Sequence, residues 1–264
     1  MKINVKNKTA ASSLKRKFIE TAQNACNAFM MPGGLLADWN VADVKHGEDS
    51  ERCVEIPWTA SGVSRCAGLW LDIGYAHAEP RYWDSIPLNT LRRYLRYGYG
   101  LDIADPKYPH PMPVEVTADL VTDDISALPQ FNLITCISTL EHIGCDNSVY
   151  LANAGRQNNP LKIQQDVLAK LLSQLTARGR LLLSVPYGKH QDNGWFMQYD
   201  AATLRALLNA AANQKYAILS ESYYKLSAGG WTKCRAEDMT EVLYKPEEKR
   251  AAGVVLLEIA GRDK

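Results

Sequence analysis

The stretch Phe131-Asn132-Leu133-Ile134-Thr135-Cys136-Ile137-Ser138 constrains the fold of this chain more than any other. Read as a strand, it is apolar on both faces, so it belongs at the centre of a sheet with cover on each side. The surrounding chain supplies that cover. From Gly68 onward, strand and helix signals alternate, the pattern of a parallel sheet joined by crossover helices. Strands are expected at 68–73, 97–103, 114–119, 131–138 and 180–186, with two more near 217–223 and 253–260. Leu88, Leu91 and Leu95 mark one intervening helix. Asn159 as N-cap and Pro160 at the first helical position open another, with Val167, Leu168, Leu171, Leu172 and Leu175 turned inward and its end near Gly179. Asp200 caps a third over 201–212. Pro106, Pro109, Pro111 and Pro113 keep the segment after the second strand from being helical throughout.

Residues 1–53 read as an N-terminal helical extension or arm, and residues 54–264 as one domain. In the arm, Leu14, Phe18, Ala22, Ala25 and Phe29 recur at helical spacing before Pro32-Gly33-Gly34 stops the pattern. Lys2, Lys6, Lys8, Lys15, Arg16 and Lys17 make its start basic, but no apolar run follows, so a secretory signal is not expected. The 264 residues set 30 Lys plus Arg against 29 Asp plus Glu, a formal net charge of +1. That balance lacks the basic footprint of a protein that grips phosphate backbones, and a nucleic-acid partner is not expected. No stretch approaches the ~18 consecutive apolar residues of a membrane span. Cys26, Cys53, Cys66, Cys136, Cys145 and Cys234 form no Cys-x-x-Cys pair and no metal-ligand spacing. Reduced thiols, a cytoplasmic setting and no metal are the expectation.

In an open parallel sheet, ligands lie beyond the carboxyl ends of the strands, where strand order reverses. Asp72, Asp102 and Asp119 fall at the ends of the first three strands. An acid ending the second strand can accept both hydroxyls of a ribose, and one ending the third can meet an adenine amino group. Singly such acids are ordinary helix caps; together, in this order, they describe a nucleoside site. The first loop, Asp72-Ile73-Gly74-Tyr75-Ala76-His77-Ala78-Glu79, discriminates between nucleoside cofactors. A dinucleotide needs Gly-x-Gly-x-x-Gly so that backbone amides reach its pyrophosphate. This loop has a single glycine, and Glu79 adds negative charge. S-adenosylmethionine has no phosphate but carries a sulfonium and an ammonium, which nearby acids favour.

At these residues the sequence resembles the class I S-adenosylmethionine-dependent methyltransferases. Asp72-Ile73-Gly74-Tyr75-Ala76-His77-Ala78 is similar to their acid-x-Gly-x-Gly-x-Gly loop, with Ala at the second and third glycine positions, where the freedom to take positive φ is lost. The run from Phe131 to Gly144 resembles the fourth-strand motif and the Glu-His after it; Leu175 to Pro186 resembles the fifth-strand signature, with Ala-Arg-Gly for Pro-Gly-Gly. The resemblance covers roughly residues 54–260. It implies a Rossmann-like, doubly wound, mostly parallel seven-stranded α/β sheet with helices on both faces, and S-adenosylmethionine as cofactor. The implied cofactor contacts are Asp72, Gly74, Tyr75, Asp102, Ile103, Asp119, Leu120, Ser138 and Glu141. Glu55-Ile56-Pro57-Trp58 and the run Thr139 to Gly144 look most like the branch found beside surface-polysaccharide and sugar-modifying genes. The implied acceptor is a small molecule or glycan, methylated at oxygen. Nucleic-acid amino-methyltransferases carry an Asp/Asn/Ser-Pro-Pro-aromatic motif where this chain has Ser138-Thr139-Leu140-Glu141. The altered first loop also suits a noncatalytic relative that serves as a partner or binding subunit.

Methyl transfer asks a protein mainly for proximity and alignment, with a general base where the nucleophile is a hydroxyl. His142 just past the fourth strand, His77 in the first loop and His190 after Tyr187-Gly188 are the candidates, each an imidazole that can accept a proton near neutrality. Tyr75 can stack on the methionine part. Trp195, Phe196, Tyr199 and Trp231 are expected in loops, where aromatics can form a substrate lid.

Overall fold

In the computed structural model, residues 4–7, 50–86, 97–148, 155–212, 216–245 and 250–261 are described. The elements in chain order are β1 (Asn4–Asn7), α1 (Arg52–Arg65), β2 (Trp70–Ile73), α2 (Pro80–Asp84), β3 (Gly98–Asp102), β4 (Val114–Thr117), β5 (Phe131–Ile137) and α3 (Pro160–Ser173). They continue with β6 (Leu175–Pro186), β7 (Gln191–Asp192), β8 (Met197–Gln198), α4 (Ala201–Ala212), β9 (Tyr216–Ser227), β10 (Gly230–Cys234) and β11 (Gly253–Gly261).

A nine-stranded sheet in the order β1-β4-β3-β2-β5-β6-β11-β9-β10 organises the chain. β2 is parallel to β3 and β5, β3 to β4, and β5 to β6. β11 runs antiparallel to both β6 and β9, while β1 and β10 add antiparallel edges beside β4 and β9. Every expected strand is present, and the fold is a Rossmann-like, doubly wound, mostly parallel α/β sheet. β1 and β10 raise the strand count above the expected seven. β5 sits at the middle with Phe131 to Cys136 all buried, as a strand apolar on both faces must.

Side chains alternate between two apolar layers along the central strands. On one face, Val167, Leu168, Leu171 and Leu172 of α3 and Leu204, Leu207 and Leu208 of α4 pack over Ile134, Leu181, Leu183, Val255 and Leu257. On the other, Val54, Trp58 and Val63 of α1 and Tyr82 and Trp83 of α2 pack over Trp70, Leu133, Leu182, Val254 and Leu256. Helices therefore cover both faces. Asp200 caps α4 by accepting from the Thr203 amide at 2.8 Å, and Asn159 caps α3 by accepting from Lys162 at 3.3 Å.

Four features depart from expectation. α1 forms where no helix was predicted: Pro57 lies inside it, and its buried residues surround the axis instead of forming a stripe, so it offers no amphipathic period to read. α3 ends at Ser173, and β6 begins well before residue 180. Leu175 pairs with Phe131 and Arg180 with Leu133, so the intervening residues bulge from the ladder. A Cβ at Gly179 would fall 2.8 Å from the Phe131 carbonyl oxygen, which accounts for the glycine there. Phe196, Tyr199 and Trp231 are buried packing residues, Trp231 within β10, whereas Trp195 is 38% exposed. Finally, β1 adds to the sheet edge from within the segment read as an arm. The helices expected at 14–29 and 88–95 lie outside the described residues. Among the described residues, no helix is long and apolar enough to cross a membrane.

Candidate functional site

Strand order reverses at β2: the chain leaves it outward through β3 and β4, then returns to β5 on its other side. Such a reversal splays the loops that follow the strands and opens a crevice. A cavity of about 390 Å³ lies there, walled by Asp72, Ile73, Gly74 and His77, by Asp102 and Ile103, by Asp119 and Leu120, and by Ser138, Thr139 and His142. Arg52 and Ile56 of α1, Tyr82 of α2 and Gln157 also line it.

The first loop needs its one glycine. Gly74 has φ of 81°, and a Cβ there would lie 2.3 Å from Thr139 Oγ1. The Tyr75–His77 segment then forms a single 3₁₀ turn. Ser138 and Asn159 are the non-glycine residues with positive φ among those described, so Ala76 and Ala78 meet no such demand. The Ala76 amide donates to Asp102 Oδ2 and the Ala104 amide to Asp102 Oδ1, each at 3.0 Å. Burial raises the Asp102 carboxyl above its ordinary range, while these amides pull it back down. Asp119 accepts from the Val121 amide at 2.9 Å and from the Thr122 hydroxyl at 3.2 Å. The Lys170 ammonium holds this turn from α3, donating to the carbonyls of Leu120 and Asp123 at 2.6 and 2.8 Å.

Asp72 is the most deeply set of the three acids, at 3% exposure. Its Oδ1 accepts from the hydroxyls of Thr135 and Tyr82, and the Trp70 indole N–H donates to the same Thr135 oxygen at 2.8 Å. Burial outweighs both hydroxyl bonds and pushes this carboxyl up to about 7. A cation entering the cavity would restore its charge.

A second polar chain forms where α1 meets the sheet. Glu55 is fully buried, and its Oε1 accepts from Ser138 Oγ at 2.6 Å and Ser184 Oγ at 2.7 Å. Its Oε2 accepts from Arg52 Nη1 at 3.0 Å, which holds that guanidinium at the cavity wall. The Ser138 amide in turn donates to Ser184 Oγ at 3.1 Å. Ser138 has φ of 43°, an unfavourable backbone for a serine that these bonds sustain. His142 Nδ1 lies 2.9 Å from the Trp195 carbonyl oxygen, and the two rings lie 5.0 Å apart. Burial pushes this imidazole down to about 4, leaving it neutral at pH 7.

No protein-family model and no curated protein matches the sequence. Among solved structures, the chain is similar to Burkholderia thailandensis 1,6-didemethyltoxoflavin-N1-methyltransferase with bound 1,6-didemethyltoxoflavin and S-adenosylhomocysteine, at 11% identity over 99% of this chain and 95% of that one, TM-score 0.47. It is also similar to magnesium protoporphyrin IX methyltransferase from Synechocystis PCC 6803 with bound SAM, at 15% identity over 96% and 99%, TM-score 0.42. A third is the N-methyltransferase NodS from Bradyrhizobium japonicum WM9 with S-adenosylhomocysteine, at 10% identity over 94% and 98%, TM-score 0.45. The roles of individual residues rest on the geometry of this chain.

Asp72, Gly74, His77, Asp102, Ile103, Asp119, Leu120, Ser138 and His142 all meet at the cavity, whereas Tyr75, Glu141 and His190 are not among its walls. The Tyr75 ring is buried against Gly100, whose lack of a side chain admits it, and lies edge-on to His110 at 4.8 Å. Glu141 is buried, and that burial, with Glu55 nearby, holds its carboxyl well above the usual range. His190 Nδ1 lies 3.0 Å from the Gln198 carbonyl oxygen, within the β7–β8 hairpin. Sequence reasoning did not find Arg52, Tyr82, Thr135 or Ser184. Thr135 and Ser184 meet partners 63 and 129 residues away, Asp72 and Glu55, and Arg52 and Tyr82 sit on helices that no sequence signal brought to the cavity.

Proposed function

We propose that this chain is an S-adenosylmethionine-dependent methyltransferase acting at oxygen on a small-molecule or glycan acceptor. The carrying observation is that Asp72, Asp102 and Asp119, from the ends of successive strands, line one cavity of cofactor size at the reversal of strand order. Each Asp102 oxygen takes one backbone N–H, which leaves a lone pair on each for the two ribose hydroxyls. Asp119 and Leu120 suit the adenine, Asp72 the ammonium and Arg52 the carboxylate of the amino-acid end. That Ala76 and Ala78 stand where no positive φ is needed favours the catalytic reading over a binding-only subunit.

Bound S-adenosylmethionine supplies a methyl group on a cationic sulfur. The chain's part is to align the acceptor and take its proton. With Nδ1 donating to a carbonyl, the basic nitrogen of His142 is Nε2. So weak a base takes the hydroxyl proton late, once the new O–C bond has drawn charge from the oxygen and made that proton acidic.

Calorimetric titration with S-adenosylhomocysteine tests the cofactor: micromolar binding that Asp102→Ala weakens about 100-fold is expected. No binding at millimolar ligand, or unchanged binding in that variant, would sink the proposal. Methyl-labelled cofactor offered with separate small-molecule, glycan and macromolecular fractions tests the acceptor, and label in nucleic acid would overturn that part.

A further inference from the structure

We infer that the tip of the β7–β8 hairpin is the positioning element for His142, fastened by the Arg156–Asp192 ion pair. The inference rests on the role proposed for His142 in this site. The hairpin turn closes with the Asn193 amide donating to the Phe196 carbonyl at 3.0 Å, and Gly194 takes φ of 82°. At the tip, the Gly194 carbonyl accepts from the Asp146 amide at 2.9 Å, and the next carbonyl, that of Trp195, meets His142 Nδ1. The Trp195 ring lies against the imidazole at an interplanar angle of 33°, which limits its rotation.

Arg156 ties this tip to the cavity wall. Its neighbours Gly155 and Gln157 line the cavity, and the Gln157 amide donates to the Gly144 carbonyl at 3.0 Å. The guanidinium reaches the other way, with Nη1 on Asp192 Oδ1 at 2.7 Å and Nη2 on Asp192 Oδ2. Nη1 also donates to the Gly194 carbonyl at 3.2 Å. One fork therefore fixes the carbonyl that precedes the one holding His142.

A carbonyl oxygen only accepts, so neutral His142 must carry its proton on Nδ1, and Nε2 becomes the proton acceptor. A half-exposed ion pair adds little to stability, but its bidentate geometry fixes direction. Losing it acts on the tautomer of His142 more than on the fold. The groups facing His142 are the Arg52 guanidinium of α1 and the titratable Glu141 carboxyl, whose Oε1 lies 3.9 Å from Nε2.

The test is long-range ¹H–¹⁵N spectroscopy of the full chain with labelled histidine, the His142 signals being assigned with His142→Gln. The wild type should show the Nδ1–H tautomer alone. Arg156→Gln and Asp192→Asn should each give a tautomer mixture, because a loosened Trp195 carbonyl no longer selects the Nδ1–H form. An Nε2–H wild type, or folded single variants with unchanged His142 signals, would overturn the inference. S-adenosylhomocysteine affinity should stay within about twofold in these variants, since neither Arg156 nor Asp192 is among the cavity walls. Failure of the wild type to bind that ligand defeats the cofactor proposal, yet leaves the tautomer result to be read by itself.

Discussion

Beyond β3 and β4, backbone groups close in the chain help aim the carboxylates of the cavity, Ala104 for Asp102 and Val121 for Asp119, with the Ala76 amide added to Asp102 from 26 residues away. Where α1 meets β5 and β6, the aiming groups are far apart in sequence. Glu55 holds Ser138 and Ser184 across 83 and 129 residues, and Trp195 holds His142 across 53. Local aiming lets a carboxylate be exchanged without loosening the fold. Remote aiming makes the same contacts serve both the site and the tertiary structure, so function and stability are coupled at that end.

Substitutions can break this contrast. The largest effect is expected from Glu55→Ala, which strands the Arg52 charge and two serine hydroxyls: roughly 3 kcal/mol of stability, measured by urea unfolding, against less than half of that for Glu55→Gln. Equal losses in the two variants would show that charge and hydrogen bonding at Glu55 do not couple the ends. At the local end, Asp102→Ala should weaken S-adenosylhomocysteine about 100-fold, some 2.7 kcal/mol, with only about 1 kcal/mol lost from the fold. A stability loss matching that of Glu55→Ala would erase the contrast.

Asp72 belongs to both ends, and pH separates its two effects. Its folded value near 7 stands above the ordinary 3.8, so the folded protein holds a proton that the unfolded chain releases between them. Its stabilising contribution is therefore full below about pH 4 and disappears as pH rises through about 7. A ligand ammonium needs the carboxylate, so affinity should climb by up to tenfold per unit as pH approaches 7 from below, then level off. Calorimetry from pH 5.5 to 8.5 checks this, and Asp72→Asn should flatten both dependences. The smallest effect is expected from Ala76→Gly and Ala78→Gly, each changing affinity by less than about threefold because neither position needs positive φ. A large gain would mean that the loop is strained at those alanines after all.

Several parts of the site were legible because they are local. Asp102 and Asp119 could be read from their positions at strand ends, and Gly74 from its place in the first loop. Tyr75 and Glu141 share that proximity yet point into packing: the Tyr75 ring fills the gap over Gly100, and Glu141 is enclosed beneath the turn that carries His142. Distance along the chain does not reveal which way a three-residue turn rotates its side chains.

The sequence by itself determined the central strand, its parallel neighbours and the acids at their ends, because two-sided burial and strand termination leave local patterns. Only the tertiary structure decided that residues 52–65 form a helix despite Pro57, that Arg52 reaches the cavity, and that Trp195 orients His142. Those outcomes depend on contacts between residues many positions apart, and a linear pattern carries no record of such distances.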